Sequence, residues 1–524
     1  MLRNTRSEPP DYSREANAKR IRRNRFDVRK WRVLVRPKIY NSGMLLDHAA
    51  CYQALKARDS RFDGRFFVAV SSTGIYCRPV CTVKTPKAQN CLFFPSAAAA
   101  EAHAYRPCLR CRPELAPGNA SVDANARLAQ AAASMIEDGL LNDASIEALA
   151  RQLDVTDRHL RRVFQSELGV SPVAYAQTHR LLLAKRLLTD TTLSVTAVAM
   201  ASGFGSLRRF NALFRSRYRL SPSDLRKRVR VSGSADTLTF QLSYRPPLDW
   251  NALLRFLGKR AIAGVEQIDA NCYRRTVRIQ RAEKQHAGWI SVAPASRQRT
   301  LEVQVSASLV AVIPGVLARI KRLFDLACDP AQIAAALGPL AAARPGLRLP
   351  GAFDGFEIAV RAILGQQITV TAARTLAGRF AAAFGEACVT PSASLNRLFP
   401  SAAAIASLRV SDIAVLGIIG ARANAIIGLA RALEAGVLDL QPGAAVDTTI
   451  RNLRGMPGIG EWTAQYIAMR ALSWPDAFPH TDYGVLKAMG EKNPRRAIER
   501  ASAWRPWRAY AVMHLWNALE AHAT

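Results

Sequence analysis

From Pro457 to Leu472 the chain reads PGIGEWTAQYIAMRAL, and PHTDY follows from Pro479 to Tyr483. Two glycines separated by one residue, directly ahead of a helical run, predict a tight hairpin that opens a helix. Gly458 and Gly460 let the backbone turn sharply and approach a ligand, leaving the N–H groups at the helix start free to meet a phosphate. Such a hairpin suits one strand of a nucleic acid. Asp482 arrives after an apolar helix and a Trp-Pro turn, and places one carboxylate over the same groove. Taken alone, the same residue also reads as a surface Asp capping a helix.

At 524 residues the chain exceeds one hydrophobic core, and three or four domains are expected. Lys and Arg number 73 against 40 Asp and Glu, a formal net charge of +33. That excess favours a polyanion, with nucleic acid as the partner. No apolar run reaches membrane-spanning length, and the basic N-terminus lacks a hydrophobic segment, so no membrane is expected and the chain is read as soluble, cytoplasmic and monomeric. Residues 1–43 carry thirteen Lys or Arg against four acids without a periodic apolar face. They are expected to be a disordered basic extension ahead of a start at Met44.

Three further stretches accompany the hairpin: RLFDLACDP at Arg322 to Pro330, ARPGLRLPGAFDGFEIAVRAILGQQIT at Ala343 to Thr369, and RPWRAYAVMHLW at Arg505 to Trp516. Together they resemble the AlkA type of 3-methyladenine DNA glycosylase, a helix-hairpin-helix enzyme, from about Asp236 onward. The resemblance implies that Asp482 stabilises an oxocarbenium sugar and guides water, and that Trp462, Tyr466 and Trp516 stack on a flipped, electron-poor base. It also places Gln366 and Gln367 on the DNA. Three departures stand out. Lyase-competent relatives carry a Schiff-base lysine two residues after the second hairpin glycine, where this chain has Trp462. The residue that wedges into the DNA gap is usually apolar, and here it is Gln367. HTDY replaces a doubly acidic DDY.

Nine cysteines are unevenly spread, and four fall in GIYCRPVC and RPCLRC: Cys77, Cys81, Cys108 and Cys111. Two close pairs suit one tetrahedral Zn²⁺, and such sites are commonly structural. Cys91, in NCLFFP, is read as a buried thiol beside an apolar strand, and Cys51, Cys272, Cys328 and Cys388 as packing residues. RFDGRFFVAVSSTGIYCRPVC followed by AYRPCLRCRPE resembles the N-terminal domain of the Ada adaptive-response family. In that family the first of the four cysteines accepts a methyl group from a DNA methylphosphotriester, a role that maps to Cys77. Thr73, Lys84 and Arg106 then sit where family residues touch phosphate, although the family prefers Arg at the Lys84 position.

Between these regions, apolar residues recur at three- and four-residue spacing, broken by Gly and Ser-Pro. The pattern predicts two helix-turn-helix units joined by a long helix, and resembles the AraC/XylS DNA-binding domain. The resemblance makes Thr156 to Phe164 and Ser206 to Phe214 recognition helices, with Arg158, His159, Arg161, Arg162, Arg208 and Arg209 near their exposed faces. Alternating runs TLTFQLSYRPP, YRRTVRIQ, GWISVAPA and TLEVQVS predict strands, and Ala-rich runs such as AQIAAALGPLAAARPG predict helices.

The expected architecture is multidomain α+β. It comprises a zinc-bound α/β module at 44–118, an all-α double helix-turn-helix domain at 121–230, a small antiparallel α/β subdomain at 236–310 and an all-α helix-hairpin-helix body at 311–524. The expected function joins methyl acceptance, transcription activation through double-stranded promoter DNA and RNA polymerase, and excision of alkylated bases from damaged DNA. The other reading is a transcription regulator whose glycosylase body only binds DNA.

Overall fold

The computed structural model describes residues 48–521 apart from 60–61, 117–123, 228–235, 270, 282–283, 297–298 and 442. The expected extension at 1–43 lies outside the described residues.

The N-terminal module is built on FVAV, the strand β1 at Phe67–Val70, which is buried throughout. β1 pairs antiparallel with β2 at Ile75–Cys77 and with β3 at Cys91–Phe94, and β4 at Arg106–Pro107 runs parallel to β2. Side chains alternate across such a sheet. Phe66 and Val68 therefore join Cys51, Leu55 and Cys91 on one face, while Phe67 and Ala69 join Tyr76 and Phe94 on the other. Cys91 packs inside this layer, apart from the four paired cysteines.

Helices at Ala124–Glu137, Ile146–Gln152, Asp157–Leu168, Pro172–Asp190, Val195–Ala201 and Leu207–Tyr218 form the middle domain. The sequence writes their starts plainly: Ser145, Thr156, Ser171, Ser194 and Ser206 each cap a helix by accepting a backbone N–H. Both expected recognition helices begin at their Thr or Ser and run four residues beyond the expected ends, to Leu168 and Tyr218.

The 19-residue helix Pro172–Asp190 is the strut of the molecule. Leu181, Ala184, Leu187 and Leu188 belong to the large core shared with the C-terminal half, while Tyr175, Ala176 and Leu182 belong to the core shared with the zinc module. Charges lock both contacts. Lys185 Nζ donates to Glu114 Oε2 at 2.8 Å and Arg112 Nη2 to Asp190 Oδ2 at 2.7 Å. Arg186 Nη2 donates to the Gln241 carbonyl at 2.7 Å, with its guanidinium over Phe240.

Gln241 lies in β5 at Thr237–Ser243, an edge strand of a five-stranded antiparallel sheet ordered β5-β9-β8-β7-β6. β6 is Glu266–Ile268, β7 Tyr273–Arg281, β8 Lys284–Pro294 and β9 Thr300–Ser306. The four alternating runs become β5, β7, β8 and β9; β6 is too short to show alternation. The Ala-rich run forms helices Pro330–Leu337 and Pro339–Ala342, within a body that is helical from Ile313 onward. A buried ion network fixes the sheet on helix Gly355–Leu364: Arg361 Nη1 donates to Glu266 Oε2 at 2.8 Å and Arg275 Nη2 to Glu357 Oε2 at 2.5 Å. The mixed α+β architecture matches the expectation. Among the described residues, no helix is long and apolar enough to cross a membrane.

Glu101 shows what it costs to seat the zinc module on the strut. It is 2 % exposed, on helix Ala97–Ala102, and accepts from Tyr76 Oη at 2.9 Å and from Thr178 Oγ1 at 3.3 Å. Burial pushes its carboxyl up to about 7, against the lowering pull of Tyr76, Arg217, Thr178 and Lys185. As pH climbs from the ordinary value of 4.5 to about 7, the unfolded chain releases this proton while the folded chain keeps it. Stability falls through that window and the loss levels off above it. Glu101→Gln is therefore expected to match the native chain at pH 4 and to exceed it by about 3 kcal/mol at pH 8. Urea unfolding of both proteins at the two pH values checks this, and a difference that does not change with pH would refute it.

Candidate functional site

Two sites emerge, one in each half. In the zinc module, the parallel pairing of β2 with β4 brings the two cysteine pairs together. Tyr76 lies opposite Pro107, and the Cys108 N–H donates to the Tyr76 carbonyl at 2.9 Å, so Cys77 and Cys108 leave adjacent strand ends side by side. A turn in which the Cys81 N–H meets the Arg78 carbonyl returns Cys81 to the cluster. All four side chains are buried, and their sulfur atoms lie within 4.8 Å of one another.

The donor set fits zinc. All four cysteines are unbridged. Hydrogen bonds from Cys111, Cys77 and Cys81 push the Cys108 thiol down, and the same crowding, from Cys108 first, pushes Cys77 up. Four such thiols left to themselves cannot all ionise, whereas a divalent cation at their centre lets them do so. A backbone N–H also reaches the cluster: Arg78 donates to Cys111 Sγ at 3.4 Å.

Arg78 went unread in the sequence. It is 4 % exposed, pairs with buried Asp63 through two guanidinium nitrogens, and donates to the Cys111 carbonyl at 3.3 Å. Its place inside CRPVC was the available signal; Asp63, fifteen residues upstream, was not legible as its partner. Thr73 is exposed in the turn before β2, Lys84 is exposed just after Cys81, and Arg106 is half-buried opposite Ile75.

In the middle domain, Arg158, Arg161, Arg162, Arg208 and Arg209 are exposed and His159 is half-buried. Three of them are paired. Arg162 Nη2 lies 3.0 Å from His159 Nδ1, and Arg161 is 3.5 Å from Asp157 and 3.7 Å from Glu147.

The second site starts at the hairpin between helices Val446–Arg454 and Glu461–Arg470. Gly458 has φ +82°, and a Cβ there would lie 3.0 Å from Ala425 Cβ, so both conformation and space demand glycine. Gly460 differs: its φ is −87°, and an added Cβ would meet nothing within 4 Å. Its bareness leaves room in front of the helix N-terminus, where a phosphate can approach. Gln366 Nε2 donates to the Gly458 carbonyl at 2.8 Å and to Thr463 Oγ1 at 2.9 Å, so both of its amide hydrogens hold the hairpin. Gln367, next to it, is exposed with φ +54°.

Asp482 is half-buried and serves as the N-cap of helix Tyr483–Ala488, its Oδ1 accepting from the Val485 N–H at 2.8 Å. Two indoles aim at the same carboxylate. Trp462 Nε1 donates to Oδ2 at 2.8 Å and Trp516 Nε1 to Oδ1 at 2.9 Å. Tyr466, one turn beyond Trp462, stacks on it with centroids 5.3 Å apart and lies 6.3 Å from Trp516. The three aromatics and the carboxylate named from sequence thus lie together in one cluster. Beneath it, Phe256 stacks on Trp516, and the guanidinium of buried Arg470 lies 5.1 Å from the Phe256 ring centroid. Neither residue was read as part of the site.

Four family models match in turn: the metal binding domain of Ada over 50–114, a helix-turn-helix domain over 149–228, the AlkA N-terminal domain over 239–354 and the HhH-GPD superfamily base excision DNA repair protein over 360–475. A Mycobacterium tuberculosis protein described as a probable bifunctional transcriptional activator/DNA repair enzyme AlkA is 37 % identical across 90 % of this chain and 97 % of its own length. The Escherichia coli DNA-3-methyladenine glycosylase 2 is 37 % identical over 53 % of this chain and 96 % of its own. The Escherichia coli bifunctional transcriptional activator/DNA repair enzyme Ada is 35 % identical over 29 % of this chain and 42 % of its own.

Proposed function

The chain belongs to the family of bifunctional transcriptional activator/DNA repair enzymes of the AlkA type, and from that premise we propose that it excises alkylated bases such as 3-methyladenine and accepts methyl groups from DNA methylphosphotriesters. The observation that carries the first activity is one carboxylate, Asp482, held by two indoles, one of them on the helix that the glycine hairpin opens. A flipped base enters the cleft of Trp462, Tyr466 and Trp516, where electron-rich faces favour a positively charged ring. As the C1′–N bond breaks, its electron pair leaves with the base, and the sugar gains positive charge that the Asp482 carboxylate stabilises. Water then adds to C1′ and gives up a proton. An alkylated base carries a positive charge already and departs without a strong acid. No lysine stands at position 462 to form an imine, so the product is an intact abasic strand.

Methyl acceptance is assigned to Cys77. Zinc, when bound, keeps the four sulfurs as thiolates at neutral pH. Thr73, Lys84 and Arg106 lie on or near the strands that end at the cluster, and we assign them to the DNA phosphates. Gly458, Gly460 and Gln366 are assigned to the damaged strand and Gln367 to the gap left by the flipped base. Arg158, His159, Arg161, Arg162, Arg208 and Arg209 are assigned to promoter DNA, with RNA polymerase as the further partner of a monomeric, cytoplasmic protein. The boundaries 44–118, 121–230, 236–310 and 311–524 are proposed as the functional units.

Methylation turns a thiolate into a thioether and removes about one negative charge beside phosphates, so specific promoter affinity should rise about tenfold or more. The Lys185–Glu114 and Arg112–Asp190 pairs join the cysteine module to the helix-turn-helix domain. A salt-controlled binding assay comparing methylated with unmethylated protein checks the switch, and equal affinity would refute it. For the chain as a whole, the direct test is release of free 3-methyladenine from alkylated DNA together with retention of one methyl group on the protein.

A further inference from the structure

Arg78 touches both cysteine pairs. Its backbone N–H donates to Cys111 Sγ at 3.4 Å, its carbonyl accepts from the Cys81 N–H at 3.1 Å, and its Nη1 donates to the Cys111 carbonyl at 3.3 Å. Asp63 holds the rest of the guanidinium, its Oδ1 accepting from Nε at 2.8 Å and its Oδ2 from Nη2. Asp63 is 3 % exposed, and two residues on stands Arg65. Arg65 forms an ion pair with Asp329, a buried residue of the glycosylase half and the N-cap of helix Pro330–Leu337. Just ahead of Asp329, buried Arg245 donates through Nη1 to the Ala327 carbonyl at 2.7 Å. Burial pulls the Arg245 guanidinium down to about 10 and the charge of Arg65 adds to that, whereas Asp63 supports the charged form. The turn at 63–65 thus sets an acid and a base against a base and an acid, Arg245 and Asp329.

We propose that the glycosylase half completes the methyl-acceptor site: Asp329 and Arg245 seat the 63–65 turn, Asp63 in that turn seats Arg78, and Arg78 sets the two cysteine pairs around the metal. The inference rests on the zinc site described above and deepens the methyl-acceptor reading. Asp63 and Arg78 are positioning residues, and Asp329 anchors them from the other half of the chain. A metal binds most tightly to ligands already arranged, because less order has to be imposed at the moment of binding. Without the anchor, the turn and Arg78 gain freedom that zinc must then remove. The coupling is reciprocal: whatever the glycosylase body adds to zinc affinity, zinc returns as stability of the body around Asp329. A cysteine module that folded independently of the body would show neither effect.

The test uses the full chain and zinc itself. Competition with a chelator gives the zinc affinity of the native chain, of Asp329→Asn, which keeps an oxygen to cap its helix, and of Asp63→Asn, which keeps one acceptor for Arg78. Both variants should bind zinc about fivefold or more weakly, the low end of a coupling between two sites. Asp412→Asn, which breaks a surface pair with Arg409 in the same half, should match the native chain. Unchanged affinity in Asp329→Asn would overturn the proposal. A second measurement needs no variant. Hydrogen exchange is followed in the native chain with zinc bound and after its removal by the chelator, and the amides of Ala327, Cys328 and helix Pro330–Leu337 should exchange faster in the stripped protein. A rise confined to the cysteine module would overturn the proposal even where Asp329→Asn fails to fold. A native chain that binds no zinc would overturn the zinc reading, and the proposal with it.

Discussion

Replacing Asp482 with Asn is expected to lower the rate of 3-methyladenine excision by about two to four orders of magnitude while leaving affinity for alkylated DNA nearly unchanged. The charge is what matters. An Asn side chain still caps helix Tyr483–Ala488 through its oxygen, and that oxygen still accepts from Trp516. Facing Trp462 Nε1 it presents either the same oxygen or an amide donor, and in neither case a negative charge. The sugar's positive charge develops only in the transition state, so its loss of a partner appears in the chemical step. Ground-state binding rests on the hairpin and the aromatics, which the substitution leaves in place. Single-turnover excision and equilibrium binding, measured on the same preparation, separate the two effects. Full activity in the variant would remove Asp482 from the mechanism, and a covalent adduct trapped by borohydride would show that an amine attacks the sugar.

How far the sequence reached into this site depended on separation along the chain. Gly458, Gly460 and Asp482 fall within 25 residues, and their spacing alone put a hairpin and a carboxylate in one neighbourhood. Trp462, Tyr466 and Trp516 came from family resemblance rather than from spacing. Arg470 is one helical turn beyond Tyr466 and was in plain view, yet its place depends on the Pro350 and Gly351 carbonyls, about 120 residues away. Nothing in the apolar context IAMRAL marks such a partner, because an Arg at a helix end reads equally as solvated. Gln366 carried a second part that spacing did not show. Its place in LGQQIT suggested DNA, and the fold adds that its amide hydrogens hold Gly458 and Thr463.

The same distance rule explains the interdomain contacts. Helix starts were legible because a cap and its N–H are three residues apart, as at Ser145, Thr156 and Ser206. Glu101 and Thr178 are 77 residues apart, Lys185 and Glu114 71, and Arg281 and Asp143 138. Charge composition implied a polyanion partner correctly in kind, but gave no sign that some of that charge is used internally. Buried Arg245 and Arg348 illustrate this: Arg245 Nη1 donates to the Ala327 carbonyl and Arg348 Nη2 to the Arg245 and Pro247 carbonyls. Counting such residues toward a DNA surface overstates it.

Exposure of the zinc-loaded chain to DNA bearing methylphosphotriesters is expected to place one methyl group on Cys77, once per molecule. The four sulfurs are almost equally buried, so access does not choose among them. Position does. Cys111 accepts from the Arg78 N–H at 3.4 Å, and a thiolate that shares its charge with a donor is a poorer nucleophile. Cys77 also ends β2, directly after the turn that carries Thr73, where a phosphate can be held. Its sulfur forms a bond to the methyl carbon as the carbon–oxygen bond to phosphate breaks, and the electron pair leaves on a phosphodiester oxygen. A thioether does not hand the methyl back, so the event consumes the site. Peptide mass spectrometry locates the group, and zinc analysis of the same sample shows that the cluster was intact. Substitution alone cannot decide the matter, because removing any one of the four cysteines weakens metal binding. A methyl on Cys81, Cys108 or Cys111, or none on a chain that retains its zinc, would show that the assignment to Cys77 is wrong.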